Sequence, residues 1–416
     1  MSLQAPRGTY DVLPEQAALR LAVEKTARSV LESAGYRRIE TPVFEATELF
    51  ARGVGESTDI VQKEMYTLTD QGERSLTLRP EGTAPVCRAY LEHGMHKLPQ
   101  PVKLWYLSSF FRQEKPQAGR QRQFWQVGAE AIGSDDPAVD AELILLLWTI
   151  LDELGARDVR LRLNSLGTAD SRAVYREGLQ EHLRAHEAQL SAEVRERIDL
   201  NPLRAFDSDH PGTQEVMRSA PVMADFLSPE DFEHFGEVRS LLDAADIDYV
   251  IDSSLVRGLD YYTRTIFEVT SDALGAQSGV GGGGRYDGLV EMLGGVGGKG
   301  VPGCGWAAGI ERILLAAEGI RHPEPVVDLF VAWAPDCRVE AFTLTAEARR
   351  AGIAAQMELA GRSLKGQLKQ GDRIGARYVA IVGEESTVLK DMDSGEQREL
   401  ETGAVVAGVL KARHFA

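Results

Sequence analysis

Apolar residues that recur every three or four positions predict two helices in the first part of the chain. Between Pro14 and Gly35 this spacing places one set of residues on a single face: Leu19, Val23, Ala27, Val30, Leu31 and Ala34. The second helix is predicted to begin at Asp136 and Pro137 and to end at Gly155, because these residue types favour helix starts and helix ends.

An alternating pattern of apolar and polar residues predicts extended strands. It is found in SLTLRPEG (75–82), VKLWYLSSFFR (102–112), RQFWQVGAEAIG (122–133) and VRLRLNSL (159–166). The second and third of these segments flank the polar stretch QEKPQAGRQ. This arrangement predicts two antiparallel strands joined by a long mobile loop.

Two longer regions predict the domain organisation. Residues 168–235 are polar, favour helices and show no alternation, which predicts an inserted helical subdomain. After RHPEPVVD (321–328), which resembles a linker, strand and helix patterns alternate, and this predicts a separate small α/β domain. We therefore predict two domains, residues 1–322 and residues 326–416.

Composition narrows the class of protein. The 416 residues are 43% hydrophobic and 26% charged, as in water-soluble globular proteins, and the longest apolar run (143–151) is too short to cross a bilayer. The start of the chain, MSLQAPRG, lacks the pattern of a signal peptide, so we expect a cytoplasmic protein without membrane contact. Three widely separated cysteines (Cys87, Cys304 and Cys337) argue against a disulfide framework and a zinc site.

The net charge of −17 argues against a protein that simply coats nucleic acid, since such domains are usually basic. The charge is unevenly distributed, because residues 326–416 carry 12 Lys and Arg against 13 Asp and Glu, a net charge of −1. Within that end region Arg362, Lys365, Lys369, Arg373 and Arg377 recur at spacings that would form one basic stripe on a helix. Such a stripe either contacts a phosphate backbone or is only a solvated face.

Glycine is concentrated near the end of the first domain. Fifteen of the 41 glycines fall between residues 275 and 309, which predicts backbone that turns sharply or approaches a ligand closely. The segment GGGGRYDG (281–288) lacks the GxGxxG spacing, and the chain has no GxxxxGK[ST], so a P-loop is excluded. His93 and His96 have no third metal ligand nearby, and we interpret them as surface residues.

Three arginines stand in separate segments: Arg112 in FFRQE, Arg257 in RGLDYY and Arg312 in GIERI. The fixed fork of an arginine suits phosphate and carboxylate oxygens. RGLDYY leads into TRTIFEV, which has the pattern of a strand, so the segment has two readings. Either it is a half-buried strand in which Arg257 pairs with Asp260, or it belongs to a site that holds an anion beside a small polar ring.

These segments together resemble the histidyl-tRNA synthetase family of class II aminoacyl-tRNA synthetases over nearly the whole chain. PRGTYDVLP and the region YRRIETPVFEATELFARGVGESTDIVQKEMYTL, with Pro42, resemble the dimer-forming motif 1 region, and LTLRPEGT resembles the amino-acid-binding segment. FRQEKPQAGRQRQFWQVGAE is similar to motif 2, and CGWAAGIERI is similar to motif 3. RGLDYY and GGGGRYDGL resemble two segments peculiar to the histidine enzymes, and this combination is highly specific.

The resemblance implies a fold and an activity. The fold is an α+β catalytic domain built on an antiparallel sheet flanked by helices, with a helical insertion and a C-terminal α/β anticodon-binding domain. The activity is the joining of L-histidine to ATP and the transfer of histidine to the 3′ end of tRNA(His) by a homodimer. Mg²⁺ would accompany ATP, and both the acceptor stem and the anticodon would be contacted.

The resemblance also implies roles for individual residues. Arg112 and Arg257 would act on the histidine carboxylate and the α-phosphate as the catalytic pair. The ATP-binding residues would be Arg112, Glu114, Arg120, Phe124 and Arg312, with Phe124 on the adenine and Arg312 at the γ-phosphate. The histidine-binding residues would be Glu81, Gly82, Thr83, Arg112, Gln126, Glu130, Arg257, Tyr261 and Tyr262, with Glu130 and Tyr262 at the imidazole.

The sequence departs from the family pattern in the motif 2 region. Lys115 stands where arginine is frequent, and Gln121 and Trp125 replace the commoner histidine or tyrosine, which bears on contacts to the acceptor stem. The alternative function is that of the non-catalytic, synthetase-like regulatory subunit of ATP phosphoribosyltransferase. Those relatives generally lack the end domain and the catalytic arginines, both of which this chain has, so the enzyme is favoured.

Overall fold

The computed structural model of the chain describes residues 3–55, 58–117, 119–256, 258–275, 278–295, 300–317, 320 and 327–414. The chain divides into two compact units, Met1–Arg321 and His322–Ala416. Residues 321–326 of the predicted linker lie outside the described residues.

The first unit is built on a large mixed sheet. The strands of this unit are β1 (Arg37–Arg38), β2 (Phe44–Ala46), β3 (Tyr66–Thr69), β4 (Ser75–Leu78), β5 (Val102–Phe111), β6 (Gln123–Ile132), β7 (Val159–Ser165), β8 (Tyr249–Ile251), β9 (Thr263–Ser271), β10 (Gly279–Arg285) and β11 (Gly303–Gly309). Among the described residues, eight of these form one sheet in the order β1-β5-β6-β11-β10-β9-β7-β8, and β2-β4-β3 form a small second sheet. The five inner pairings of the large sheet are antiparallel, whereas β1–β5 and β7–β8 are parallel.

The predicted antiparallel pair is confirmed as β5 and β6. Their register runs from Val102 opposite Ile132 to Phe111 opposite Gln123. The glycine-rich region was expected to contain turns or close approaches, and it contributes β10 and β11 to the middle of the sheet. Glycine weakens a strand and often marks close approach of another group, so these positions point to crowding at the sheet surface.

Helices cover the sheet, as the fold class predicted. They are α1 (Pro14–Ser33), α2 (Thr47–Val54), α3 (Thr83–Glu92), α4 (Pro137–Glu153), α5 (Ala169–Ala185), α6 (Ala192–Arg197), α7 (Pro211–Met217), α8 (Pro229–Ala244), α9 (Leu289–Met292) and α10 (Ile310–Ala316). The predicted helices α1 and α4 are confirmed: Val23, Ala27 and Leu31 of α1 are buried, and the Asp136 side chain accepts a hydrogen bond from the Ala138 N–H at the start of α4.

The region predicted as a helical insertion, residues 168–235, consists largely of helices in the structure. Helices α5 to α7 share an apolar core of their own that includes Tyr175, Leu179 and Val216. Val238 and Leu242 of α8 instead join the core beneath the large sheet. Both residues follow residue 235, the predicted end of the insertion, and their i, i+4 spacing places them on one face of the helix. The second half of α8 thus belongs to the main body of the unit.

The second unit is a small α/β domain, as predicted. Its elements are β12 (Leu329–Trp333), α11 (Arg338–Arg350), β13 (Ala355–Met357), α12 (Leu364–Arg373), β14 (Tyr378–Val382), β15 (Thr387–Asp391), β16 (Gln397–Leu400) and α13 (Val405–His414). The strand order is β13-β12-β14-β15-β16. The first three strands are parallel, as the strand–helix alternation requires, and β15 and β16 extend the sheet in antiparallel fashion.

The prediction that five basic residues form one helical stripe was wrong in extent. Helix α12 carries Lys365, Lys369 and Arg373, all exposed. Arg362 precedes the helix and lies 3.0 Å from Glu358, and Arg377 follows the helix. Periodicity alone did not reveal where the helix begins and ends.

No helix in the part of the chain that the structure describes is both long enough and apolar enough to cross a membrane.

Candidate active site

The two faces of the large sheet have different surroundings because alternate strand residues point in opposite directions. On β6, Val127, Ala129 and Ala131 pack in the core with the helices. The intervening residues Gln126 and Glu130 therefore face the opposite side. The same alternation on β5 and β11 gathers polar side chains and glycines on that opposite face, where the predicted site residues lie.

Glu130 is the centre of a buried hydrogen-bond cluster on this face. Its side chain is 0% exposed. Oε1 accepts hydrogen bonds from the Thr83 hydroxyl at 2.8 Å and the Tyr106 hydroxyl at 3.3 Å, and Oε2 accepts one from the Tyr286 hydroxyl at 2.7 Å. Three hydroxyl donors around one carboxylate hold both its oxygens in fixed directions.

Burial dominates the electrostatics of the cluster. It raises the pKa of Glu130 to about 8, although the hydroxyls of Tyr286 and Thr83 oppose the rise by favouring the carboxylate. Burial also raises the pKa of Tyr106 and Tyr286 well above the ordinary value, so both phenols keep the protons that they donate. The charge of Glu81 raises the pKa of Glu130 further, which makes this a pocket suited to a cationic or proton-donating ligand.

Tyr106 was missed by the sequence analysis. It lies on β5 directly opposite Gly128 of β6, and a Cβ at Gly128 would overlap the Tyr106 ring. The alternating pattern placed Tyr106 on the same face as Phe110 but could not reveal the glycine beneath it. The register of the two strands is the signal that would have identified the pair.

Glu81 is held at the N-terminus of α3. Its carboxylate accepts hydrogen bonds from the backbone N–H groups of Thr83 at 2.7 Å and Ala84 at 3.0 Å. Burial raises the pKa of Glu81, while these N–H groups oppose the rise. The Tyr261 hydroxyl lies 3.5 Å from the same carboxylate, so the structure brings Glu81, Thr83 and Tyr261 together, with Gly82 between the first two.

Gly305 lies in the glycine-rich region, and its surroundings show why a glycine stands at this position. It lies opposite Glu130 in the β11–β6 pairing, and a Cβ there would overlap Oε2 of Glu130. Only glycine leaves room for the carboxylate at that position. The expectation of a close approach is therefore met by a protein side chain.

The described residues 258–262 of RGLDYY lie outside the strand that follows them, because β9 begins only at Thr263. Tyr261 and Tyr262 are 3% and 5% exposed, and their ring centroids are 4.8 Å apart. Arg257, predicted to be catalytic and to bind histidine, lies outside the described residues. The backbone carbonyl of Asp260 accepts a hydrogen bond of 3.3 Å from Arg172 in α5.

An open cavity of about 950 Å³ lies on the same face of the sheet. Gln126 lines this cavity. So do all the predicted ATP-binding residues, which are Arg112, Glu114, Arg120, Phe124 and Arg312. The Arg112 guanidinium lies 5.4 Å from the centroid of the Phe124 ring, and its Nε donates to the Pro80 carbonyl at 2.9 Å. Arg112 is thus fixed from both sides at the cavity wall.

Charged groups alternate along the cavity. Glu114 lies between Arg112, at 3.7 Å, and Arg120, at 3.4 Å. Arg312 donates to the backbone carbonyl of Gly279. Burial and the positive charge of Arg120 lower the pKa of Arg312, so the two arginines repel each other and an anion placed between them would be stabilised.

The sequence analysis also missed carboxylates that line the cavity, among them Asp59, Glu64 and Glu268. Burial and the nearby charge of Glu114 raise the pKa of Glu64. The charges of Arg112 and Arg120 oppose this rise, and a further cation beside Glu64 would favour its charged form. No local motif marked Glu64, because the neighbourhood of Glu114 arises only from the folded chain.

The departures in motif 2 have different surroundings. The backbone N–H of Trp125 donates to Glu311 at 3.1 Å, and the Arg20 guanidinium lies 5.4 Å from its ring centroid. Trp125 is therefore part of the contact between α1 and the sheet. Gln121 lines the cavity, and Lys115 is exposed.

Comparison with known proteins is consistent with this geometry. Residues 8–313 match the model of the family described as histidyl-tRNA synthetase, and residues 328–412 match that of the anticodon binding domain. Histidine–tRNA ligase of Desulforamulus reducens is 48% identical over 418 residues, covering 98% of this chain and 99% of the relative. The corresponding ligase of Moorella thermoacetica is 49% identical over 416 residues, covering 98% and 97%.

A solved structure is similar over the whole chain. The apo histidyl-tRNA synthetase of S. aureus superposes with a TM-score of 0.82 at 37% identity, covering 98% of this chain and 100% of that one. Both units of the present fold thus have counterparts in sequence families and in an experimental structure. The chain belongs to the histidyl-tRNA synthetase family.

Proposed function

We propose that the buried cluster around Glu130 and the adjoining cavity form the active site of a histidine–tRNA ligase, a class II aminoacyl-tRNA synthetase. The enzyme joins L-histidine to ATP, forming histidyl-adenylate and pyrophosphate, and transfers histidine to the 3′ end of tRNA(His). One observation carries the proposal. The buried carboxylate of Glu130, which accepts hydrogen bonds from three hydroxyl groups, lies beside a cavity lined by arginines. The regulatory-subunit alternative is not favoured, since the full-length relatives at 48% and 49% identity are ligases.

The buried cluster suits histidine. An imidazole has a nitrogen at each end, and Glu130 and Tyr262 would pair with the two nitrogens. The α-ammonium would meet Glu81, Thr83 and Gln126. In the described structure Oε1 of Gln126 is buried without a hydrogen-bond partner, so it is available to an ammonium donor.

The cavity suits ATP. Phe124 would stack on the adenine, Arg120 and Glu114 would line the nucleotide, and Arg312 would hold the γ-phosphate end. Mg²⁺ would enter with ATP as part of the substrate, and Glu64 and Glu114 fit it because Mg²⁺ is bound by one or two carboxylates together with phosphates. It would neutralise charge on the phosphate oxygens.

The first step needs no general base, because the histidine carboxylate is already anionic. One of its oxygens forms a bond to the α-phosphorus while the bond to the bridging oxygen breaks and pyrophosphate leaves. Arg112 and Arg257 would hold the two anions together and stabilise the charge that develops on the α-phosphate. Arg112 is already oriented for this role by Phe124 and the Pro80 carbonyl.

The remaining assignments concern partners. The second unit would bind the anticodon of tRNA(His), and the exposed Lys365, Lys369 and Arg373 offer positive charge for its phosphates. A homodimer would cover the exposed Val43, Phe44 and Leu68 near the small sheet. A cytoplasmic location stays a prediction from the sequence.

Histidine-dependent exchange of pyrophosphate into ATP tests the proposed function. We expect histidine to support the exchange and the other protein amino acids to fail, because buried polar groups left unpaired penalise a wrong ligand. A regulatory subunit would show no exchange with any amino acid. Exchange supported equally by a second amino acid would contradict the assignment of the pocket.

Removal of the second unit tests the division of labour. A chain cut near residue 325 is expected to keep histidine-dependent exchange but to charge tRNA(His) at least about tenfold more slowly, because it loses the binding energy of the anticodon contacts. The measurement is charging of tRNA(His) at subsaturating concentration, with exchange as the internal control. Full-rate charging by the shortened chain would refute the role of residues 326–416.

A further inference from the structure

The inserted subdomain contributes one described residue to the cavity wall. Arg204 lies in a short 3₁₀ turn, Pro202–Asp207, between α6 and α7. Its guanidinium is 3.0 Å from the carboxylate of Asp59, and both side chains line the cavity of about 950 Å³. The ion pair therefore joins the insertion to the main body at the edge of the proposed ATP site.

Asp59 stands at the start of an unusual backbone segment. It immediately precedes a π-helix, Ile60–Glu64, a conformation that is rare and often found at functional sites. At the other end of this segment, the Glu64 carbonyl accepts a hydrogen bond of 2.7 Å from the N–H of Gln113, the neighbour of Arg112. Asp59 is thus linked through one short helix to the proposed catalytic arginine.

A second arginine of the insertion makes a parallel contact. Arg172 in α5 donates to the Asp260 carbonyl at 3.3 Å, next to Tyr261. Arg172, Arg204 and Asp260 line the same small cavity of about 90 Å³ between the insertion and the body. The insertion therefore contacts two segments that border the proposed active site, one through Asp59 and one through Asp260.

We propose that Arg204 is a positioning residue for adenylation, holding the π-helix through its ion pair with Asp59 and thereby the segment that carries Arg112. The inference rests on the proposed function in so far as the cavity is taken to bind ATP. This role of Arg204 makes the insertion a part of the adenylation site. Contacts that the insertion makes with other molecules would then act on the same helix.

The expected effect of Arg204→Ala falls on ATP. The pair is partly open to water, with side-chain exposures of 26% and 42%, so its loss should be modest. We expect KM for ATP in histidine-dependent exchange to rise about fivefold, the upper range for such a pair. KM for histidine should change less than KM for ATP, because Glu81 and Glu130 hold histidine without the π-helix and Arg112 is only one of its proposed contacts.

Related variants separate positioning from a general loss of structure. Asp59→Asn should also raise KM for ATP, although it weakens the 3.7 Å pair of Asp59 with Lys63 as well. The effects in the double variant should be less than additive, since the two changes share the Arg204–Asp59 ion pair. Arg204→Lys should retain part of the effect of arginine. The matched control is Arg184→Ala, which removes the ion pair of Arg184 with Asp199 inside the insertion and should leave both KM values unchanged.

Calorimetric binding of ATP without histidine completes the test. If the wild-type protein showed no histidine-dependent exchange, the proposed function would fail, while ATP affinities of the variants would still test the ion pair. A wild-type KM and affinity for ATP in Arg204→Ala would overturn the inference. An equal change in Arg184→Ala, or full additivity in the double variant, would also overturn it.

Discussion

Glu130→Ala is expected to lower kcat/KM for histidine by about 10³-fold or more, with KM for ATP nearly unchanged. Each buried donor that is left without an acceptor costs about 1 to 3 kcal/mol, and Glu130→Ala leaves several donors unpaired. Here the hydroxyls of Thr83, Tyr106 and Tyr286 would lose their acceptor, and the imidazole would lose its own. ATP would be spared, since Glu130 does not line the cavity.

The measurement is pyrophosphate exchange at varied histidine and varied ATP. Glu142→Ala is the matched control, because the Glu142 carboxylate also accepts from a tyrosine hydroxyl, that of Tyr36, but does not belong to the cluster. It should leave both KM values near wild type. Equal losses for histidine and ATP in Glu130→Ala would rule out the pocket assignment.

Stability against pH provides an independent readout of the same carboxyl group. Burial raises the pKa of Glu130 from 4.5 in the unfolded chain to about 8 in the native protein. Between these values the native protein holds a proton that the unfolded chain has lost, so the free energy of unfolding falls as pH rises from about 4.5 to about 8. Urea unfolding at pH 5 and pH 8 should show a smaller fall in Glu130→Gln.

Arg257→Ala is expected to slow adenylate formation by about 10² to 10³-fold, the loss that follows removal of one preorganised donor to a developing charge. Histidine binding should suffer less, because Glu81, Glu130 and Tyr262 would still hold the amino group and the ring. Transfer from preformed adenylate to tRNA should also be less affected, since Arg112 still neutralises the departing phosphate. Single-turnover formation of adenylate is the measurement.

Two further variants sharpen this test. Arg257→Lys should restore only part of the rate, because a point charge cannot span two oxygens as the guanidinium fork does. Arg160→Ala, which removes an exposed pair with Asp272 on the same sheet, should keep the wild-type rate. A wild-type rate in Arg257→Ala would assign Arg257 a structural role such as pairing with Asp260.

Local patterns were sufficient for much of the architecture. The periodicity of apolar residues predicted α1, α4 and the β5–β6 pair, because each depends on residues near one another in the chain. Strand–helix alternation predicted the small α/β domain for the same reason. The resemblance identified candidate site residues, and the structure brings Glu81, Thr83 and Tyr261 together and lines one cavity with the predicted ATP set.

Element boundaries were less accessible to the sequence. Regular spacing extended the basic stripe beyond both ends of α12, to Arg362 and Arg377. A spacing pattern states which residues share a face if a helix exists. It does not state where the helix stops or which surface will cover it.

By itself, the sequence determined the long helices α1 and α4, several strands, the two-part organisation and the chemical character of the candidate site. Only the tertiary structure decided how the site is assembled, because strand register joins residues that no local pattern connects. It placed Tyr106 over Gly128 and Gly305 against Glu130, and it brought the Tyr286 hydroxyl to Glu130 across 156 positions of sequence. It likewise brought Arg204 of the insertion to Asp59. These contacts depend on the pairing of distant segments, which packing of the whole chain settles.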